Sequence, residues 1–269
     1  MSTLEAHYAV SEIEKRILAG LRAAGLNPDE RLTPEMLGPL DHFHTGVLQS
    51  SRELMELAQI RADERVLDIG AGLGGCARLL AAETGCRVEC LELSADYCTG
   101  ARLLNRLTGL DDRIGVHLGS ALELPFENES FDVVWMQNVG MNIADKPGLY
   151  DAIARALKPG GLYVFQEVTA GPEPTAYFPL PWATEPADSH LASADEIGRL
   201  LAERGLHADR LEDVSDADFS TSVANHTPAA AGNLGLAVYV DRLAEKADNA
   251  GRSLADDQIR FYRGVFRRG

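Results

Sequence analysis

The sequence predicts an α/β fold: a mostly parallel sheet of seven strands with helices on both faces, an N-terminal helical cap and a C-terminal lid insertion. Three observations carry this expectation. From Arg65 onward short apolar strands alternate with helix-period stretches, the pattern of a parallel sheet covered on both sides. A glycine-rich turn, Asp68-Ile69-Gly70-Ala71-Gly72-Leu73-Gly74-Gly75, joins the first of these strands to the first of these helices. The 269 residues, 45% of them hydrophobic, suffice for one large core.

The elements follow in order. Residues 1–60 read as the cap. Ser11 and Glu14 form a capping box ahead of Ile13, Ile17, Leu18 and Leu21, which share one helical face. Thr33-Pro34 starts a second helix, with proline at its first position, and Gln49 to Ala58 is a third. Residues 61–212 read as the core. Its strands run Arg65 to Ile69, Arg87 to Leu91, Ile114 to Leu118, Phe131 to Met136, Leu162 to Val168 and Ala208 to Leu211. Between them lie helices that start at Ala77, after Ser94, after Asp145 and after the capping box Ser193–Glu196. Residues 213–257 hold a helical lid, centred on Ala224 to Asn249. Residues 258–269 carry a final strand, Ile259 to Phe266, whose alternating bulky and basic side chains suggest one solvated side.

Composition excludes several functions. With 25 Lys+Arg against 41 Asp+Glu the net charge is -16, which disfavours nucleic acid and anionic membrane surfaces as partners. No apolar run approaches the ~20 residues of a membrane span, and the first residues lack a secretory pattern, so the expectation is a cytoplasmic protein. Cys76, Cys86, Cys90 and Cys98 form no CxxC pair and read as buried thiols; no metal is expected.

The glycine turn carries the chemistry. An open parallel sheet binds nucleotide-like ligands where a strand ends and a helix begins, and glycines let the backbone approach closely. Gly70, Gly72 and Gly75 fit GxGxxG, whereas Asp68, Gly70, Gly72 and Gly74 fit DxGxGxG. Glu92, at the end of the second strand, suits a ribose in either case. Two features favour the second pattern, Asp68 and the Gly119 to Trp135 block: a carboxylate suits a ligand bearing an ammonium and a sulfonium better than a pyrophosphate.

Three blocks together, the glycine turn, Gly119-Ser120-Ala121-Leu122-Glu123-Leu124-Pro125-Phe126 with Ser130 to Trp135, and Leu157-Lys158-Pro159-Gly160-Gly161, resemble the class I S-adenosylmethionine (SAM) dependent methyltransferases. Asp41-His42-Phe43-His44-Thr45-Gly46, Gln137 to Ile143, Phe178 to Ala183 and the Gly235 to Arg267 tail are similar to the small-molecule branch of sarcosine and dimethylglycine methyltransferases. The resemblance implies a Rossmann-like core with SAM as cofactor. It implies Asp68, Gly70, Gly72 and Gly74 at the methionine part, Glu92 at the ribose, and Leu93, Ala121 and Leu122 around adenine. Gln137 would line the methionine side, and Phe43 and His44 would close over the cofactor. Ser120 stands where the family usually has aspartate, and Asn138 and Tyr177 stand where relatives often carry histidine.

The leading functional expectation is in-line methyl transfer to a small metabolite, with Asn138, Asn142 and Tyr177 as the catalytic candidates. For the two asparagines the bland alternative is turn chemistry; for Tyr177 and its neighbours Phe178 and Trp182 it is packing. His226 and Tyr239 in the lid are weighed as packing or surface residues. The runner-up is a SAM-consuming enzyme that cyclises SAM to azetidine-2-carboxylate and releases methylthioadenosine. A catalytically silent SAM-binding partner and a dinucleotide oxidoreductase complete the alternatives. The expected partner is a small molecule, with the chain as monomer or homodimer.

Overall fold

A computed structural model describes residues 10–42, 47–173, 175–216, 235–238 and 240–269. The seven strands form one sheet in the order β3-β2-β1-β4-β5-β7-β6. These are β1 Arg65–Ile69, β2 Arg87–Glu92, β3 Ile114–Leu118, β4 Phe131–Gln137, β5 Leu157–Ala170, β6 Leu206–Asp213 and β7 Ile259–Arg268. The first five are parallel, and β7 pairs antiparallel with both β5 and β6. The described helices are α1 Ile13–Ala23, α2 Pro34–Asp41, α3 Val47–Ala58, α4 Gly75–Thr84, α5 Ala95–Thr108, α6 Lys146–Ala156, α7 Ala194–Ala202 and α8 Leu243–Ala255.

Strand periodicity sorts the core into two layers. Leu67, Ile69, Val134 and Met136 face α6 and α7, whereas Val66, Val133 and Trp135 face α3 and α4. A third cluster packs α1 and α2 against Tyr97, Leu103 and Leu104 of α5, which seats the cap beside the glycine turn.

Local chemistry sets most helix starts. Ser94 accepts from the Tyr97 N–H, Asp145 from Gly148 and Ser193 from Glu196, as their sequence positions predict. The capping box expected at Ser11 does not form. Glu12 occupies the position before α1 with φ 58°, and no side chain caps the helix; a left-handed residue there turns the cap geometry away from the hydroxyl.

The last strand also differs from its expectation. β7 lies between β5 and β6, and its basic residues are not simply solvated. Arg263 is buried and bonds Glu53 and Ser50, each at 3.0 Å, across the sheet face under α3. Arg260, Arg267 and Arg268 pair with Asp257, Asp209 and Glu129, so the tail offers no free basic stripe for nucleic acid. All four cysteines are buried and reduced, as expected, and among the described residues no His, Cys, Asp and Glu cluster could hold a metal.

Candidate functional site

The strand order reverses between β1 and β4, the place where open α/β sheets leave a crevice at the carboxyl ends of their strands. A cavity of about 380 Å³ lies there, within the ~300–1,000 Å³ range of small-ligand sites. Its floor is the glycine turn. Gly70 and Gly72 adopt φ 68° and 56°, a left-handed conformation that strains other residues, and a Cβ on Gly70 would lie 2.4 Å from Val139. Gly70 donates its N–H to Leu91 O and Gly72 to Glu92 Oε2, which ties the turn to the end of β2.

Of the sequence-predicted residues, Asp68, Gly70, Gly72, Glu92, Leu93, Ser120, Ala121, Leu122, Gln137, Asn138 and Asn142 all line this cavity. Gly74 does not; it precedes α4 with φ 80° and supports the turn from behind. Tyr177 does not line it either: its hydroxyl donates to Asp256 at 2.8 Å and Arg252 stacks on its ring. Phe43 and His44 lie outside the described residues, as do His226, Tyr239 and much of the expected lid.

Asn138 and Asn142 belong to the loop after β4. Asn138 holds φ 53° and donates its backbone N–H to Gln166 O, and Asn142 donates its side-chain amide to Trp182 O at 2.8 Å. The loop is pinned from behind. Glu167 accepts from the Val139 and Gly140 N–H groups, and the buried Lys146 ammonium donates to Gly140 O, Ile143 O and His190 O. Burial pushes Glu167 up to about 7, against the pull of those N–H groups and of Lys146. Glu167→Gln removes the anion that both N–H groups and Lys146 face, so hydrogen exchange at Val139 and Gly140 should accelerate ~10-fold. Unchanged exchange at these amides would show that the carboxylate does not hold the loop.

The electrostatics of the cavity are one-sided. Asp41, Asp68, Glu92 and Asp145 line it, and among its described lining residues none is Lys, Arg or His. Asp68 is 3% exposed and its Oδ2 has no hydrogen-bond partner among the described residues. Burial, with Glu92 adding repulsion and Arg78 opposing, raises its pKa to about 8. Glu92 is also raised by burial, opposed by bonds from the backbone of Ser94, Gly72 and Leu93. A buried carboxylate oxygen without a partner carries a desolvation penalty that a cationic group from outside would remove. Such a lining suits cations and repels a diphosphate.

Sequence reading missed Asp41. Its signal was the Asp41 to Gly46 motif, read there only for its aromatic and histidine residues. Asp41 ends α2 and pairs at 2.6 Å with Arg78, a guanidinium with no exposure that also bonds Asn105 Oδ1 and Leu73 O, each at 2.7 Å. A Cβ on Gly75 would meet Asp41 O at 2.5 Å, so glycine there lets α2 sit directly on the start of α4. Burial raises Asp41 to about 6 despite Arg78. The adjacent His42, also buried, is driven down to about 3 by burial and by Arg78 and Arg52, so its ring is neutral.

Comparison with known proteins follows the same outline. Residues 67–165 match the family described as a methyltransferase domain. The chain is 42% identical over 125 residues to the sarcosine/dimethylglycine N-methyltransferase of Aphanothece halophytica, covering 46% of this chain and 45% of that protein. It is 32% identical over 173 residues to the glycine/sarcosine/dimethylglycine N-methyltransferase of Actinopolyspora halophila, covering 64% of this chain and 27% of that protein. The chain thus spans less than half the length of these curated relatives. A geranyl diphosphate methyltransferase solved in complex with SAM shares the fold, with TM-score 0.68 and 18% identity over 82% of this chain and 84% of that one.

Proposed function

We propose that the chain is a class I SAM-dependent methyltransferase of the small-molecule type, which binds SAM in this cavity and transfers the methyl group to a small metabolite; the methyltransferase-domain match and the sarcosine/dimethylglycine relatives support the reading. The observation that carries the reading is that every charged residue of the described lining is acidic, with Asp68 Oδ2 unpartnered among the described residues. The donor set fits SAM, whose ammonium and sulfonium are cations, and does not fit a dinucleotide. When bound, SAM supplies an electrophilic methyl carbon.

Every other contribution belongs to the chain. Asp68 and the N–H groups of the glycine turn would hold the amino-acid end, and Glu92, already anchored by Gly72 and Ser94, would accept from the ribose diol. Leu93, Ala121 and Leu122 would enclose the base, with the Ser120 hydroxyl at its edge; that hydroxyl accepts from Leu122 N–H. Asn138 and Asn142 line the same cavity from the loop after β4, and uncharged polar groups there can orient an amine without protonating it. Alignment of a nucleophile with the methyl carbon, away from water, can supply much of the rate. The described lining contains no histidine to act as base. The relatives' printed substrates, glycine, sarcosine and dimethylglycine, are the first acceptors to try.

Mass spectrometry of products from SAM with and without these amines tests the reading. Acceptor-dependent S-adenosylhomocysteine is the expected result. Methylthioadenosine from SAM alone would replace the proposal with the cyclisation chemistry, for which Tyr177, turned toward Asp256, supplies no aromatic face to this cavity. Tight SAM binding with no turnover against a broad metabolite panel would replace it with a silent partner.

A further inference from the structure

Three donors converge on one oxygen beside the cavity. Trp135 Nε1, Ser51 Oγ and Cys76 Sγ each lie 3.0 Å from Gln137 Oε1. The three come from different elements, β4, the cap helix α3 and the first turn of α4. Trp135 and Gln137 are two residues apart on β4 and so face the same side of the sheet. Trp135 is in register with Asp68, which places Asp68 on that side too.

The convergence fixes which way round the amide lies. An indole N–H can only donate, so the Gln137 oxygen must face it; the flipped amide would set two donors against each other. The Cys76 thiol stays protonated, because burial and then the Asp68 charge push its pKa up. Among the described residues the amide nitrogen has no partner, although Gln137 is only 8% exposed. Gln137 lines the cavity, so an acceptor from a bound ligand is the partner that would complete it.

We propose that Trp135, Ser51 and Cys76 are positioning residues that lock the Gln137 amide with its nitrogen toward the ligand, and that this lock selects a ligand carrying a carboxylate beside its ammonium. Asp68 then takes the ammonium and Gln137 Nε2 the carboxylate. The inference rests on the reading that the cavity accepts SAM. It also gives α3 a part in the site: Ser51 does not touch the cavity, yet it sets the orientation of a group that does.

Calorimetry with S-adenosylhomocysteine and its decarboxylated analogue tests the lock by binding alone. The wild-type protein should prefer the carboxylate-bearing ligand ~10–100-fold, the worth of a hydrogen bond to a charged group. Gln137→Glu keeps an oxygen for the three donors but turns an anion toward the ligand, and should cut that preference below ~3-fold while the analogue still binds. Trp135→Phe and Ser51→Ala should each lower the preference by freeing the amide to turn. Should Trp135→Phe fail to fold, Ser51→Ala and Gln137→Glu carry the comparison, since neither changes the indole. A wild-type protein that binds both ligands equally, or a preference unchanged in Gln137→Glu, overturns the lock. A wild-type protein that binds neither ligand overturns the SAM reading instead.

Discussion

Asp68→Asn is expected to make the ligand-free protein more stable and the ligand response much weaker. The carboxyl is buried, faces Glu92 and has its pKa raised to about 8. In the unfolded chain it ionises near 4. A group whose folded pKa is raised contributes its full stability below the unfolded value and loses it as pH climbs toward the folded one. The wild-type protein therefore gives up stability between pH ~4 and ~8, and asparagine, neutral throughout, does not. At pH 8 the variant should gain on the order of 1–3 kcal/mol, or ~2–10 °C in melting temperature. Near pH 4 the two proteins should melt together. Affinity for SAM should fall ~10–100-fold with the loss of a charge-assisted bond. Melting curves at pH 4, 6 and 8, with and without SAM, give both halves. A variant less stable than wild type at pH 8 would show that the Asp68 anion is satisfied in the empty site.

Arg78→Met should produce the largest loss of stability. The guanidinium is wholly buried and serves Asp41, Asn105 and Leu73 O at once, bridging α2, α4, α5 and the glycine turn. Removing one partner of a buried pair strands the other, and such losses run to ~3–5 kcal/mol. That corresponds to a fall of roughly 10 °C or more for a chain of this size. Much of the penalty belongs to the abandoned Asp41 carboxylate, so the double variant Asp41→Asn/Arg78→Met should recover a measurable part, ~1 kcal/mol or more by double-mutant cycle. A single-variant loss below ~1 kcal/mol, or no recovery, would mean that water reaches and solvates the site.

These two residues mark the limit of what the sequence reveals. Asp68 was legible because its signal is local: a carboxylate at a strand end, two residues before a glycine turn. Glu92, Ser94, Asp145 and Ser193 were legible for the same reason, as was the alternation that gives seven strands and a cavity at the β1–β4 reversal. Arg78, Asp41 and the Ser51–Cys76–Trp135 convergence were not. Each depends on side chains from distant segments meeting after the sheet has formed, and no spacing within one segment encodes that meeting. Ser11 failed differently: its capping pattern is present, but the backbone at Glu12 takes another path into α1. Arg263 looked solvated only because the sequence gives a strand's alternation and not its neighbours.

The placement of β7 bears on how the chain reaches this structure. β7 follows β5 and β6 in the chain yet is the partner that joins them. Until it arrives, β6 has no neighbour in the sheet and the far side of β5 is open. Pairings between segments so far apart carry a large loop-closure entropy and form slowly. Insertion of β7 is thus the step that closes two sticky strand edges together, and during synthesis those edges await the same late segment. Refolding near 1 µM protein should outcompete self-association, whereas crowded refolding should lose material at this step.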